Sequence, residues 1–198
     1  MLILLSPAKT LDFETRPGIA RHTQPAMLKD SVILVEQLRK LTPAKIAALM
    51  NISPALGKLN ATRYKEWSVP FNRDNAKQAL LAFRGDVYTG LDADSLNAVE
   101  LDYAQRHVRI LSGLYGVLRP LDLMRPYRLE MGTGLQTVRG NNLYDFWGER
   151  ITVLLNKTLK QQQDDIVINL ASNEYYKSVK PSELKARVIN PVFRYLKN

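Results

Sequence analysis

Cysteine is absent from this 198-residue chain, which excludes disulfides, thiolate nucleophiles and thiolate metal ligands. Histidine occurs twice, at His22 and His107, so a zinc or histidine-rich iron site would draw most of its ligands from carboxylates. No metal and no cofactor is expected. No apolar run approaches the roughly 18 residues of a membrane span, and the opening MLILL has neither a basic leader nor a cleavage motif. The sequence therefore reads as cytoplasmic, without a membrane partner, and the Asn-x-Ser/Thr triplets at Asn51, Asn60 and Asn156 carry no glycosylation meaning. The G-x-S-x-G elbow, the glycine-rich P-loop and the G-x-G-x-x-G turn are all missing. A calcium loop beginning at Asp92 fails because Leu96 and Asn97 stand where an oxygen ligand and a glycine are needed.

Positive charge is what the chain has in excess. There are 28 Lys and Arg against 19 Asp and Glu, a formal charge of +9. Such a balance favours polyanions, either nucleic acid or phosphorylated ligands, although solubility alone also explains it. The basic residues form no tail, so any positive surface has to be assembled by folding. With 45% hydrophobic residues and no repeat, low-complexity segment or Gly/Ser linker, the chain reads as one compact domain over residues 1–198.

Periodicity predicts a short buried strand at Leu2–Leu5 and a helix from Met27 to Leu41. Thr42-Pro43 starts a second helix through Met50, and a third runs from Pro54 to Trp67. Asn72 or Asp74 is expected to cap a helix through Phe83, followed by strand and turn in RGDVYTGL, Arg84–Leu91. Ala98, Leu101, Ala104 and Val108 stripe another helix. Leu143, Phe146, Trp147, Ile151, Leu154 and Leu155 define one strongly amphipathic helix, with late strands in DIVINLAS and RVINPVF. The fold class is mixed α/β.

Three stretches carry chemistry. In LSPAKT, Leu5–Thr10, a strand end delivers Ser6, Lys9 and Thr10 to a turn, where α/β proteins place ligand groups; an ordinary polar turn reads the same way. Leu41–Trp67 is a helical pair with a partial helix-hairpin-helix pattern at 43–67: Pro54, Leu56, Gly57 and Ala61 fall in step, while Ala55 replaces a glycine. Leu56, Gly57 and Lys58 would offer amides to one DNA strand, with Arg63 and Lys65 on nearby phosphates; a plain hairpin with a solvated basic face competes with this. LSGLYGVLRPLDLMRPYRLEMG, Leu111–Gly132, sets Arg119, Arg125 and Arg128 among glycines and tyrosines. Arginine forks suit phosphate oxygens, yet Arg119 can pair with Asp122, and Arg128 with Glu130 or Asp145, as internal struts.

LSPAKT, FRGDVYTGL, LSGLYGVLRPLDLMRPYRLEMG and INLASNEYYKSV, in this order, resemble the YaaA family of bacterial peroxide stress resistance proteins over essentially the whole chain. The resemblance implies a cytoplasmic protein that protects against hydrogen peroxide and limits iron-driven Fenton damage to DNA. It further implies a cantaloupe-like α/β fold, with a central mixed sheet among helices, a positively charged cleft and a DNA-binding helix-hairpin-helix. Family members continue for roughly another quarter of their length past PVFRYLKN, so the chain reads as C-terminally short, with an exposed sheet edge expected.

The sequence thus points to double-stranded DNA, bound through phosphates and recognised by structure rather than base sequence, with no obligate protein partner. Leu56, Gly57, Lys58, Arg63, Lys65, Lys9, Arg84, Arg119, Arg125 and Arg128 are the candidate contacts. A competing reading is an enzyme on a phosphorylated small molecule or nucleotide, with LSPAKT, LSGLYG and RPYRLEM forming one pocket, Asp86, Asp122 or Glu130 as acid or base and Lys9 on phosphate. Direct iron sequestration by carboxylates is a third.

Overall fold

A computed structural model of the chain describes residues 1–192. From the amino terminus, β1 (Leu2–Leu5) and β2 (Thr10–Leu11) precede three helices, α1 (Leu28–Arg39), α2 (Pro43–Met50) and α3 (Pro54–Glu66). Short elements follow: β3 (Lys77–Gln78), α4 (Ala79–Ala82), β4 (Phe83–Arg84) and α5 (Asp86–Leu91). Helix α6 (Ala98–His107) leads into β5 (Val108–Ser112), β6 (Gly116–Leu118) and β7 (Leu123–Met124). The remainder comprises α7 (Leu143–Trp147), α8 (Arg150–Gln162), β8 (Ile166–Asn169), α9 (Asn173–Tyr176) and β9 (Arg187–Ile189).

Five strands make the main sheet in the order β6-β5-β1-β8-β9. Strand β1 pairs parallel with β5 on one side and β8 on the other, β9 runs parallel to β8, and β6 returns antiparallel to β5. The class is therefore mixed α/β, with a mixed sheet and helices around it. LILL is apolar throughout because β1 is central: Leu2 and Leu4 are completely buried and Leu5 nearly so. One apolar cluster joins the sheet to the helices, with Trp147, Phe146, Tyr115 and Tyr64 among its largest side chains. Burial of each such side chain contributes about 1.5–3 kcal/mol.

Several elements differ from their sequence expectation. The apolar stripe from Leu143 to Leu155 is two helices, because the chain turns at Gly148, whose φ of 49° is left-handed. RGDVYTGL is helical from Asp86, and only Arg84 keeps strand pairing. Asn72 closes a side-chain turn, accepting from the amides of Asp74 and Asn75, and the backbone then runs extended before α4. The arginine-rich stretch contains the end of β5 and all of β6 and β7, each fully buried and so without the alternation that reveals a half-exposed strand. In RVINPVF, β9 covers Arg187–Ile189; Phe193 lies outside the described residues.

Candidate functional site

Strands β5, β1 and β8 end side by side, and the chain leaves β1 for neighbours on both sides, the arrangement in which open α/β sheets form a crevice beyond the carboxyl ends of their strands. Three serines gather there. Ser6, just after β1, donates to the hydroxyl of Ser172 (3.3 Å) and accepts the Ser172 amide (2.9 Å). Ser112, the last residue of β5, shares a 2.6 Å hydrogen bond with the Tyr127 hydroxyl and accepts the Tyr115 amide at 3.0 Å. Tyr88 ties the turn down by donating to the Ser6 carbonyl (2.8 Å).

Beside this cluster lies a cavity of about 60 Å³, walled by Pro7–Lys9, Tyr127–Glu130, Glu174 and Tyr175. Lys9 and Arg128 both reach Glu130 Oε1, at 3.1 and 3.2 Å, while Glu174 accepts the Gly132 amide at 2.8 Å. Arg128 Nε is buried without a hydrogen-bond partner among the described residues, so part of this guanidinium is held in place but unsatisfied. Burial raises the pKa of the Tyr127 and Tyr175 hydroxyls well above the usual phenol range, which keeps them neutral donors at physiological pH. Two cations and two carboxylates around a small recess can hold a compact charged group. LSPAKT and RPYRLEM do converge here, joined to LSGLYG through Ser112, whereas Asp122 lines a different cavity and Asp86 is exposed at the start of α5. Glu174 and Ser172 were not singled out from the sequence: their partners lie 42 and 166 residues away, with no local spacing to mark them.

The basic candidates divide by counter-charge. Arg84 meets Asp12 at 2.9 Å and Asp94 at 3.3 Å, Arg119 meets Asp122 at 2.8 Å, and Arg128 and Lys9 share Glu130. Lys58, Arg63, Lys65 and Arg125 form no ion pair among the described residues. Lys58 and Lys65 are exposed, two turns apart on α3; Arg63 is half-buried, and burial lowers its pKa. Arg125 donates to the Ser68 hydroxyl at 3.0 Å, just past the end of α3.

Local chemistry explains the helical pair. Thr42 and Ser53 are N-caps, accepting from the amides of Lys45 and Leu56 (each 3.3 Å), and Pro43 and Pro54 open the helices. Asn51, at φ 50°, closes α2. The amides of Leu56 and Gly57 are already taken, by Ser53 Oγ and the Ser53 carbonyl (2.9 Å), so within this hairpin they serve the helix start. Arg39 caps the far end of α3, donating to the carbonyls of Tyr64, Lys65 and Trp67. The hairpin is also tied to the arginine loop. Tyr64 donates to the Arg128 carbonyl, and Trp67 Nε1 donates to the Tyr115 hydroxyl, which accepts the Arg125 amide, both at 2.9 Å.

Among the described residues no helix is long and apolar enough to cross a membrane, and no three His, Asp or Glu side chains come together as a metal site requires. The family model described as peroxide stress protein YaaA matches residues 1–198. A UPF0246 protein from Shewanella loihica is 60% identical over 198 residues, spanning 100% of this chain and 77% of its own length. Similar proteins bearing that name come from Shewanella sediminis, at 58% with the same coverage, and Aliivibrio fischeri, at 57% over 76% of its length.

Proposed function

The chain belongs to the YaaA family of peroxide stress proteins, and we propose that it protects the cell from hydrogen peroxide by binding double-stranded DNA, where it limits iron-driven Fenton damage. The observation that carries this reading is the uncompensated charge on one connected unit. Lys58, Arg63 and Lys65 on α3, with Arg125 in the loop bonded to its end, lack carboxylate partners among the described residues, while Lys9, Arg84, Arg119 and Arg128 each meet a carboxylate. Cations left without internal partners are the ones free to replace the counterions of a polyanion. Contacts of this kind fix position without reading bases, so duplexes of unrelated sequence bind alike.

Fluorescence anisotropy of a labelled duplex across a salt series tests the reading. The logarithm of affinity falls against the logarithm of salt with a slope of about −0.9 per phosphate neutralised, and reversing Lys58 and Lys65 to Glu makes that slope shallower by about 2. A slope unchanged in the double variant removes α3 from the interface.

A second reading rests on the carboxyl-end cavity, where Lys9, Arg128, Glu130 and Glu174 converge and Arg128 Nε lacks a partner. There the ligand is a small phosphorylated molecule, and the protein is an enzyme. Folded protein that fails to bind duplex at low salt moves the assignment to this cavity.

A further inference from the structure

A second, larger cavity of about 240 Å³ lies toward the amino end of β5, under α8. Arg109, on a strand paired along both edges, forms its floor and is only 6% exposed. A guanidinium so buried ordinarily faces a carboxylate, because an unpaired charge in the interior is strongly destabilising. Arg109 has no such partner among the described residues. Its Nη1 donates to two main-chain carbonyls, Gln105 at 3.0 Å and Val108 at 2.6 Å.

Asp122, the one acid lining the cavity, is already committed. It accepts from Arg119 Nε (3.1 Å), Arg119 Nη2 (2.8 Å), the Arg119 amide (2.8 Å) and the Thr23 hydroxyl (2.6 Å). Lys157, exposed on α8, adds a third cation and forms no ion pair among the described residues. Three cations therefore line a recess with one carboxylate, and that carboxylate is spent on Arg119 and Thr23. Burial first, and then repulsion from Arg119, lowers the pKa of Arg109 to about 10 against a smaller opposing attraction from Asp122, which still leaves it charged at neutral pH.

We propose that this cavity binds a phosphate group, with Arg109 beneath it and Arg119 and Lys157 at its rim. A phosphate monoester carries about −1.5 to −2 near neutral pH, which matches the two cations left uncompensated. The arginine forks supply directed donors and the lysine a point charge, while Val117 and Leu154 wall the site with apolar surface that strengthens both. Such a group comes either from a small phosphorylated molecule or from DNA. The depth of Arg109 favours a terminal phosphate over a phosphodiester in a continuous backbone. This site is separate from the α3 surface and does not depend on the DNA reading.

Calorimetric titration of the full chain with inorganic phosphate and pyrophosphate, against sodium chloride at matched ionic strength, tests the proposal. Saturable binding is expected, weakened at least tenfold by Lys157→Ala and by Arg109→Met. Because Arg109→Met alters a buried position, Lys157→Ala, with folding checked by circular dichroism, decides the matter. No saturable binding, or binding unchanged in Lys157→Ala, overturns the proposal. Duplex anisotropy on the same variant assigns the source of the phosphate. Retained duplex affinity with phosphate binding lost assigns a small molecule, and joint loss assigns a DNA phosphate.

Discussion

Asp12 receives two cations of unequal burial, Lys77 at 3.2 Å with 6% of its side chain exposed, and Arg84 at 2.9 Å with 31% exposed. Burial pushes its carboxyl pKa up, but the Thr15 amide and hydroxyl, with Lys77, outweigh that and hold it well below the usual carboxylate range. A carboxylate whose folded pKa is depressed stabilises the fold fully above its unfolded value, about 3.9, and loses that contribution as pH falls toward the folded value. Asp12→Asn leaves Lys77 buried without its partner, so at pH 7 it should lower unfolding free energy by about 3 kcal/mol. Below about pH 4 the gap from the unaltered protein should narrow by about 1.4 kcal/mol per pH unit, because only the unaltered protein carries this linkage. Urea denaturation at a series of pH values measures it, and a gap that stays constant down to pH 3 rejects the pairing as its cause. The same contact shows where residue-level reading stopped. Arg84 reads only as a phosphate contact because its acids, Asp12 and Asp94, lie 72 and ten residues away, while Arg119 and Arg128 read also as struts because their acids stand three and two residues on.

Among the elements, the α2–α3 pair packs backbone against side chain at Gly57. A Cβ placed on Gly57 would stand 2.7 Å from Ala47 Cβ and 2.7 Å from the Pro43 carbonyl oxygen, so the glycine permits the contact between the helices. In an open helix, Gly→Ala stabilises by about 0.5–1 kcal/mol; here overpacking should reverse the sign, to a loss of about 1–3 kcal/mol. Chemical denaturation of Gly57→Ala reads that sign directly, and a stabilised variant would mean that the helices do not pack this tightly. Gly57 thus has a structural task that a hairpin motif also explains, which is why the pattern alone left both readings open. Elements with an exposed face were legible: α1, α2 and α3 follow their apolar spacing and their Thr42-Pro43 and Ser53-Pro54 starts. Elements without one were not. Strand β5 is buried at all five positions, including Arg109 and Ser112, and two polar residues in a buried strand hide the apolar run that marked β1.

At the scale of the whole molecule, the net charge of +9 is not spread evenly in its effect. Among the described residues only eight of the 28 Lys and Arg form ion pairs, and α3 and the Arg109 cavity are two of the places where cations outnumber acids. These two places call for different partners: an exposed helix face meets an extended polyanion, and a recess meets one phosphate group. If protection runs through the α3 surface, a peroxide-sensitive strain lacking its own copy should be rescued by the unaltered chain and not by a Lys58→Glu/Lys65→Glu variant produced at equal level. Two exposed, unpaired lysines can be reversed at a stability cost within about 0.5 kcal/mol, so loss of rescue would reflect lost binding rather than lost fold. Survival after a peroxide pulse, scored beside the amount of folded protein, separates the two. Full rescue by the charge-reversed variant would place protection elsewhere, and the cleft where Lys9, Arg128, Glu130 and Glu174 meet would become the site to alter next.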